Sequence, residues 1–305
     1  MNHGNELLNV LTTEQVNERT IHIDQLSTEE IVKLINEEDR QVTETVCRLT
    51  PQIAKAADII IRSFKRNGRL FYVGAGTSGR IGILDASECP PTYGTDPSMV
   101  QGIIAGGERA IQDAAEKAED DAEMGARDID ACGVNERDTV VGIAASGRTP
   151  YVLGAMKRAM ERGASVIGLC NNYGTPMAQC AHHMIEAVVG PEVILGSTRM
   201  KAGTAQKIIL NTLTTTAMIR IGKVYNNLMV DLQPSNEKLI HRAKRIIKLA
   251  TGAPDERVNE TFRLANGHVK TAIVMILADV DKETAERLLA QADGFVREAV
   301  RLAKG

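Results

Sequence analysis

The stretch from residue 70 to residue 91 constrains the fold of this chain more than any other. It begins with the buried-type apolar run Leu70–Val73, continues as a turn rich in glycine and hydroxyl residues, and then takes on a helical pattern up to the pair Pro90-Pro91. An apolar run followed directly by such a turn and a helix is typical of a strand in a parallel sheet. We expect the proline pair to end the helix.

The turn itself has the composition of a phosphate-binding site. Its three glycines, among them Gly76, let backbone N–H groups approach an anion closely, and the N-terminus of the helix adds partial positive charge. Thr77 and Ser78 add hydroxyl donors that a bare glycine loop lacks. The sequence therefore predicts an anion site at the end of the first strand.

Further strands alternate with helical segments, which favours an α/β fold. The parallel five-stranded sheet that we predict is flanked by helices in a three-layer sandwich. Its predicted strands are Arg69–Val73, Met99–Ala105, Thr139–Ala145, Ser165–Cys170 and Met184–Val189.

Helical patterns surround this alternation. A capping box at Ser27 predicts a short helix to about Glu38, and an apolar stripe over 46–64 predicts a second, longer helix. Met200–Val224 reads as one long apolar helix, after which the pattern contains only short helices. We divide the chain accordingly into an N-terminal helical segment that packs on the core or on a partner subunit, a central α/β domain, and a small all-helical C-terminal domain. These three parts span residues 1–58, 59–228 and 229–305.

Two later loops repeat the chemistry of the first turn. Ser146, Gly147 and Thr149 follow the third predicted strand, and Ser197 and Thr198 precede the long helix. Because the carboxyl ends of parallel strands share one edge of the sheet, we expect these loops to converge on one ligand. A phosphate surrounded by hydroxyl groups is the simplest occupant.

Alternative interpretations of these motifs stay open at this point. The spacing Gly-x-Gly-x-x-Gly also fits a dinucleotide site, but the acidic residue that should end the next strand is absent and Glu108 comes later than expected. Ser146 and Ser197 also suit simple helix capping.

Two acidic residues are candidates for proton transfer. Glu88 lies near the expected C-terminal end of the first helix, where the helix dipole disfavours a carboxylate. Glu119 lies in a charge-rich helical segment, which is more often a solvated face. An exposed surface glutamate is an equally good interpretation of Glu88 on this basis, and it is the better interpretation of Glu119.

Composition excludes several function classes. A net charge of −3 and an aromatic content of 3% do not suit a nucleic-acid-binding surface. No run of about 18 apolar residues predicts a membrane span, and the start of the chain does not resemble a signal peptide. The five cysteines form no zinc-ligand spacing, which suits reduced thiols. We expect a cytoplasmic protein that binds neither nucleic acid nor membrane.

Taken in order, five segments resemble the N-acetylmuramic acid 6-phosphate etherase family, within the sugar isomerase (SIS) domain superfamily. They are 74–80, 85–92, 104–108, 144–150 and 197–204. The resemblance runs from about residue 23 to the C-terminus. It implies an SIS-type sheet with a helical C-terminal unit, a homodimer, no metal, no cofactor, and a small sugar phosphate as the partner molecule. The implied reaction splits the D-lactyl ether of the sugar phosphate during bacterial cell-wall recycling.

The resemblance also assigns roles to positions. The family's catalytic glutamates fall on Glu88 and Glu119, and its substrate-binding loops fall on the three hydroxyl clusters. The binding residues are Gly76, Thr77, Ser78, Ser146, Gly147, Thr149, Ser197 and Thr198. Two other functions would use the same type of site: an aldose–ketose sugar-phosphate isomerase and a non-catalytic sensor of sugar phosphates.

Overall fold

The computed structural model describes residues 11–113, 116–234 and 236–304. It divides the chain into two units. The first contains residues 11–87 and 98–213, and the second contains residues 88–97 and 214–304, apart from the undescribed positions. The boundaries at 58 and 228 stay a prediction, and residues 1–10 of the predicted N-terminal segment lie outside the described residues.

A five-stranded parallel sheet forms the centre of the first unit. Its order is β2-β1-β3-β4-β5, so β1 lies between β2 and β3 although it precedes both in the chain. The fold class predicted from sequence is confirmed. The strands are β1 Leu70–Gly74, β2 Val100–Ile104, β3 Thr139–Ile143, β4 Ser165–Cys170 and β5 His183–Glu186.

Helices cover this sheet, as its continuous apolar strands require. All five residues of β1 and of β3 are buried, and side chains buried on both faces need packing partners on both sides. The helices are α1 Thr28–Arg48, α2 Thr50–Lys65, α3 Gly76–Tyr93, α4 Arg109–Gln112, α5 Glu116–Glu119, α6 Ala122–Ala131, α7 Pro150–Glu161 and α8 Lys201–Arg220. Short 3-10 turns lie at Thr12–Glu14, Glu18–Thr20, Ile23–Gln25 and Pro176–Cys180.

The N-terminal helices differ from the sequence prediction in one respect. Ser27 and Glu30 form the predicted capping box, but α1 continues beyond Glu38 to Arg48 instead of stopping. Leu49 separates the two helices, and α2 begins directly after it with Pro51 in its first turn. Proline is tolerated there because the N–H groups of a first turn have no acceptor within the helix. The proline, rather than the charged run near residue 38, sets the helix boundary.

The proline pair does not end α3 where the sequence suggested. Pro90 and Pro91 lie inside the helix, which continues to Tyr93. The helix ends at Gly94, which has a positive φ of 59° and donates its N–H to the carbonyl of Pro90. Prolines this close to a C-terminus interrupt only the final turns, so the prediction was wrong by about one turn.

The long predicted helix 200–224 is shorter in the structure. It spans Lys201–Arg220 and is followed by Gly222, which has a φ of 82°. The two-residue strands β6 Val224–Tyr225 and β7 Leu228–Met229 then form a small antiparallel hairpin. This hairpin was not predicted, because two-residue strands leave no periodic pattern in a sequence.

Beyond the hairpin, the described residues of the second unit are helical. Their apolar faces surround a core of their own, with the strongly apolar α11 fully enclosed over most of its length. The helices are α9 Glu237–Thr251, α10 Asp255–Leu264, α11 Val269–Ala278, α12 Lys282–Gln291 and α13 Val296–Lys304. None of the described helices combines the length and the apolar character needed to cross a membrane.

Candidate active site

A polar cavity of about 330 Å³ opens at the carboxyl ends of β1 and β3. These strands are neighbours in the sheet, but the chain passes through β2 between them, so they mark the point where the strand order reverses. Ligands of open parallel sheets bind in the crevice at this point. The cavity is lined by Thr13, Glu14, Ala75, Gly76, Thr77, Ser78, Arg80, Glu116, Glu119, Ile143, Ala144, Ala145, Ser146, Thr149, Gly196 and Thr198.

The first wall of the cavity is the N-terminus of α3. Gly76 begins this helix with a φ of 49°, in the left-handed region that glycine adopts at little cost. The N–H groups of the first turn have no acceptor within the helix, and those of Gly76, Thr77 and Ser78 are therefore available to an anion. The hydroxyls of Thr77 and Ser78 have no hydrogen-bond partner among the described residues.

Two further glycines allow the helix to begin so close to the strand. A Cβ at Gly74 would lie 2.6 Å from the backbone nitrogen of Gly79, and a Cβ at Gly79 would lie 2.6 Å from a side-chain carbon of Ile104. Any side chain at either position would force the helix away from the strand end. The glycine pattern here is thus explained by close packing, with Gly76 supplying the backbone conformation.

The second wall is the loop after β3. Ser146 accepts a hydrogen bond from the N–H of Arg148 at 3.2 Å, and Gly147 turns the chain with a φ of 65°. Thr149 is the N-cap residue of α7, yet its side chain makes no capping bond. Thr149 lines the cavity, and its hydroxyl has no hydrogen-bond partner among the described residues, so helix capping does not account for it.

The third hydroxyl-bearing loop, which precedes α8, contributes fewer side chains to the cavity than we expected from sequence. Thr198 lines the cavity, whereas Ser197 does not. The carboxylate of Glu192 accepts the N–H groups of Lys201 and Ala202, both at 2.9 Å, at the start of α8. An acidic side chain of the protein already occupies this helix N-terminus, which leaves the α3 N-terminus as the better phosphate site.

Glu119 lies directly beside that better site. Its carboxylate oxygen Oε1 is 3.1 Å from the point where a Cβ at Gly76 would lie. The side chain is half-buried, and burial, together with the nearby charges of Asp120 and Glu116, raises the pKa of its carboxyl group, while Arg80 lowers it. A carboxylate with a raised pKa is a stronger base, and perturbed groups in a cavity are typical of active sites.

Comparisons with known proteins give the family. The chain is 56% identical to an N-acetylmuramic acid 6-phosphate etherase from Caldanaerobacter subterraneus, over 97% of this chain and 96% of that protein. It is 54% identical to one from Clostridium acetobutylicum, over 98% and 99% of the two chains, and 53% identical to one from Aliivibrio fischeri, over 96% and 98%. The chain belongs to the N-acetylmuramic acid 6-phosphate etherase family.

Domain comparisons agree with the fold of this etherase-family chain. Residues 52–160 match the glucokinase regulatory protein N-terminal SIS domain, and residues 123–216 match the SIS domain. Among solved structures, a phosphoheptose isomerase from Neisseria gonorrhoeae aligns with a TM-score of 0.46 at 17% identity, over 62% of this chain and 97% of that one.

The two glutamates that the etherase resemblance singled out are placed differently. Glu119 lines the cavity, but Glu88 is exposed in the later part of α3 and is not among the lining residues. The neighbouring Pro90 and Pro91 do not shield Glu88 from water. Its catalytic role stays a prediction that rests on the resemblance to the etherases.

Arg80 lines the cavity, but its guanidinium group is engaged elsewhere. It donates to the carbonyl oxygens of Ile111 and Asp113 at 2.9 and 3.1 Å. Arg80 therefore binds the C-terminal end of α4 instead of pointing all its donors at a ligand.

Sequence reasoning missed the contribution of the N-terminal segment to the etherase-family cavity. Thr13 and Glu14 line this cavity. They were not predicted as site residues, because residues 1–26 carry no periodic pattern or recognisable motif. Among the described residues, no group of three or more His, Cys, Asp or Glu side chains is arranged to hold a metal ion. The cavity is instead rich in hydroxyl and carboxylate groups.

Proposed function

We propose that this chain cleaves the D-lactyl ether at C3 of N-acetylmuramic acid 6-phosphate, giving N-acetylglucosamine 6-phosphate and D-lactate. The observation that carries the proposal is the near-full-length identity of 51–56% to etherases of that name. The cavity supports it independently, because a half-buried glutamate with a raised pKa stands beside a phosphate-type helix N-terminus.

The phosphate group of the substrate fits the α3 N-terminus. Gly76, Thr77 and Ser78 line the cavity there and leave three backbone N–H groups without an acceptor in the helix, and Ser146 and Thr149 line it from the loop after β3. A dianion at this position gains from the helix dipole and from several hydrogen bonds at once. Phosphate binding fixes the sugar, so that its reacting carbons lie over the rest of the cavity.

The chemistry follows from the substrate. An alkyl ether resists direct displacement, but the ether at C3 lies β to C1, which becomes an aldehyde when the sugar ring opens. The aldehyde makes the proton on C2 acidic. Loss of that proton and departure of lactate with the ether oxygen give an unsaturated aldehyde, and water then adds its oxygen to C3 and a proton to C2. The net reaction consumes one water molecule.

Glu119 suits the base that removes the C2 proton. It lines the cavity next to Gly76, so a phosphate held at the α3 N-terminus places the sugar within its reach. Burial raises the pKa of its carboxyl group and so strengthens the ionised form as a base. The same group can return the proton to C2 when water is added.

Glu88 suits the second pair of proton transfers. A carboxylic acid is needed to protonate the departing lactate oxygen. The carboxylate that this leaves can then act as the base that removes a proton from the attacking water. We assign this role to Glu88 from the resemblance to the etherases.

Purified protein incubated with N-acetylmuramic acid 6-phosphate tests the proposal. We expect stoichiometric D-lactate, measured with a D-lactate dehydrogenase coupled assay, and loss of release in Glu119→Gln. Glu123→Gln is the matched control, because Glu123 is an exposed glutamate on the next helix and does not line the cavity. Absence of lactate with folded wild-type protein would refute the etherase function.

The same assay separates the other candidate functions. An aldose–ketose isomerase would interconvert the free sugar phosphates without releasing lactate, and a sensor would bind N-acetylglucosamine 6-phosphate without turnover. No observation on the cavity favours either over the etherase.

Three further properties belong to the proposal. We place the reaction in peptidoglycan recycling and amino-sugar catabolism and the protein in the cytoplasm, as expected for an enzyme that takes a phosphorylated sugar. We also propose a homodimer, for which light scattering after gel filtration should give about twice the 33.0 kDa chain mass. A monomer at working concentration would contradict the last point.

A further inference from the structure

An N-terminal strap, defined as residues 11–20, passes along the edge of the cavity. It consists of two short 3-10 turns joined by an extended piece and carries Thr13 and Glu14 to the cavity wall. Neither residue belongs to the glycine and hydroxyl loops that hold the proposed phosphate. The strap therefore adds chemistry that those loops do not provide.

One anchor joins the strap directly to the loop after β3. The side chain of Asn172 donates to the Thr13 hydroxyl at 3.0 Å and to the carbonyl of Ala145 at 3.0 Å, and its oxygen accepts the Thr13 N–H at 3.4 Å. Thr13 and Asn172 are each only 1% exposed. Buried polar groups with matched partners fix a geometry firmly, because breaking the pair leaves them unsatisfied.

A second anchor lies a few residues further along. Asn17 donates to Glu38 at 2.8 Å, and the same carboxylate oxygen of Glu38 accepts from the fully buried ammonium of Lys201 at 2.7 Å. Burial alone would raise the pKa of the Glu38 carboxyl, but the bonds from Lys201 and Asn17 and the charge of Arg19 together hold the pKa below its usual value. The ion pair therefore persists at neutral pH and ties the strap to α1 and α8.

Between these anchors lies the carboxylate of Glu14. Within the ranges that the structure describes, no group bonds to it, although the side chain is half-buried. Its Oε2 lies 3.9 Å from the point where a Cβ at Gly196 would lie, so the carboxylate is directed at the third loop. Gly196 has a φ of 76° and carries no side chain that would fill this part of the cavity.

We propose that Glu14 is a substrate-contacting residue that accepts hydrogen bonds from hydroxyl groups of the bound sugar. This inference rests on the proposed function, since it takes a sugar phosphate as the ligand. An ionised carboxylate only accepts hydrogen bonds, and it repels a phosphate dianion. Glu14 therefore orients the ligand: the phosphate lies at the α3 N-terminus, and the hydroxyl-bearing end of the sugar lies toward the strap.

The test compares binding of N-acetylglucosamine 6-phosphate and of inorganic phosphate by titration calorimetry. For Glu14→Ala we expect the Kd of the sugar phosphate to rise about tenfold to a hundredfold, as expected for loss of a hydrogen bond to a charged group. The Kd of inorganic phosphate should stay constant or fall, because a negative charge has been removed from the cavity.

Glu18→Ala is the matched control, because Glu18 is an exposed glutamate on the same strap and does not line the cavity. It should bind both ligands as the wild type does. Glu14→Gln should lose less than Glu14→Ala, since its amide oxygen still accepts a hydrogen bond. Urea unfolding midpoints should match the wild type for all three variants.

Two results would overturn the inference. Unchanged affinity of Glu14→Ala for the sugar phosphate would show that the carboxylate does not touch the sugar. An equal loss for the sugar phosphate and for inorganic phosphate would show a merely structural role. Failure of the etherase function is a separate result, because the wild type would then release no lactate whatever the binding of these two ligands.

Discussion

Gly76→Ala provides a sharp test of the position of Glu119. Alanine at this site must adopt a φ of 49°, which costs roughly 1–2 kcal/mol in the left-handed region. Its Cβ would lie 3.1 Å from Oε1 of Glu119, closer than an ordinary contact. The carboxylate is the far end of a flexible side chain, so it moves by a few tenths of an ångström at little further cost in stability.

The catalytic effect of this shift should exceed the stability effect. Misplacing a catalytic group by about 1 Å can cost a hundredfold in rate, so a smaller shift of Glu119 should lower kcat by about tenfold. Gly133→Ala is the matched control: its φ is 59°, and a Cβ there meets no atom within 4 Å. Both variants should lose about the same free energy of unfolding in urea, but only Gly76→Ala should lose activity.

A wild-type kcat in Gly76→Ala would refute this reasoning. Such a result would mean that Glu119 does not act from the position it occupies beside Gly76. A loss of activity in Gly133→Ala equal to that in Gly76→Ala would instead assign the effect to general destabilisation. Michaelis constants measured in parallel show whether the added methyl group also hinders phosphate binding.

Other perturbations test the surrounding electrostatics and the second glutamate. Because the charge of Asp120 contributes to the raised pKa of Glu119, Asp120→Asn should lower that pKa. The acidic limb of the pH profile of kcat/KM should then move to lower pH. A limb that stays in place or moves to higher pH would contradict this expectation. Lys201→Met should lower the free energy of unfolding by about 1.5–3 kcal/mol in urea, because Glu38 loses the hydrogen bond from the buried ammonium but keeps Arg19 and Asn17 as partners. Glu88→Ala should release no D-lactate yet keep wild-type stability, since Glu88 is exposed; normal turnover would remove it from the mechanism.

Most of the sheet could be predicted from sequence because its strands are short, continuous apolar runs. The run Ser165–Cys170 was placed with the observed bounds, and the other four strands were placed within one to three residues at each end. Helix ends were harder to predict, because a proline is tolerated at different places in a helix. Pro51 lies in the first turn of α2, whereas Pro90 lies inside α3 near its C-terminal end. Local sequence alone did not distinguish these two positions.

The cavity could be predicted only where its residues follow strands. Thr77, Ser146 and Thr149 were found because parallel strands direct their carboxyl ends to one edge. The sequence pattern did not favour Glu119, since its charge-rich helix has the pattern of a solvated face and its position beside Gly76 arises only in the folded chain. Glu14 was missed entirely, because the strap is placed by long-range pairs such as Thr13 with Asn172, 159 positions apart.

The most direct test of the elimination and hydration scheme is turnover in H₂¹⁸O. We predict one ¹⁸O atom at the C3 hydroxyl of N-acetylglucosamine 6-phosphate, and unlabelled ether oxygen in the released D-lactate. Label in the D-lactate hydroxyl, or an unlabelled C3 hydroxyl in the sugar product, would contradict the scheme.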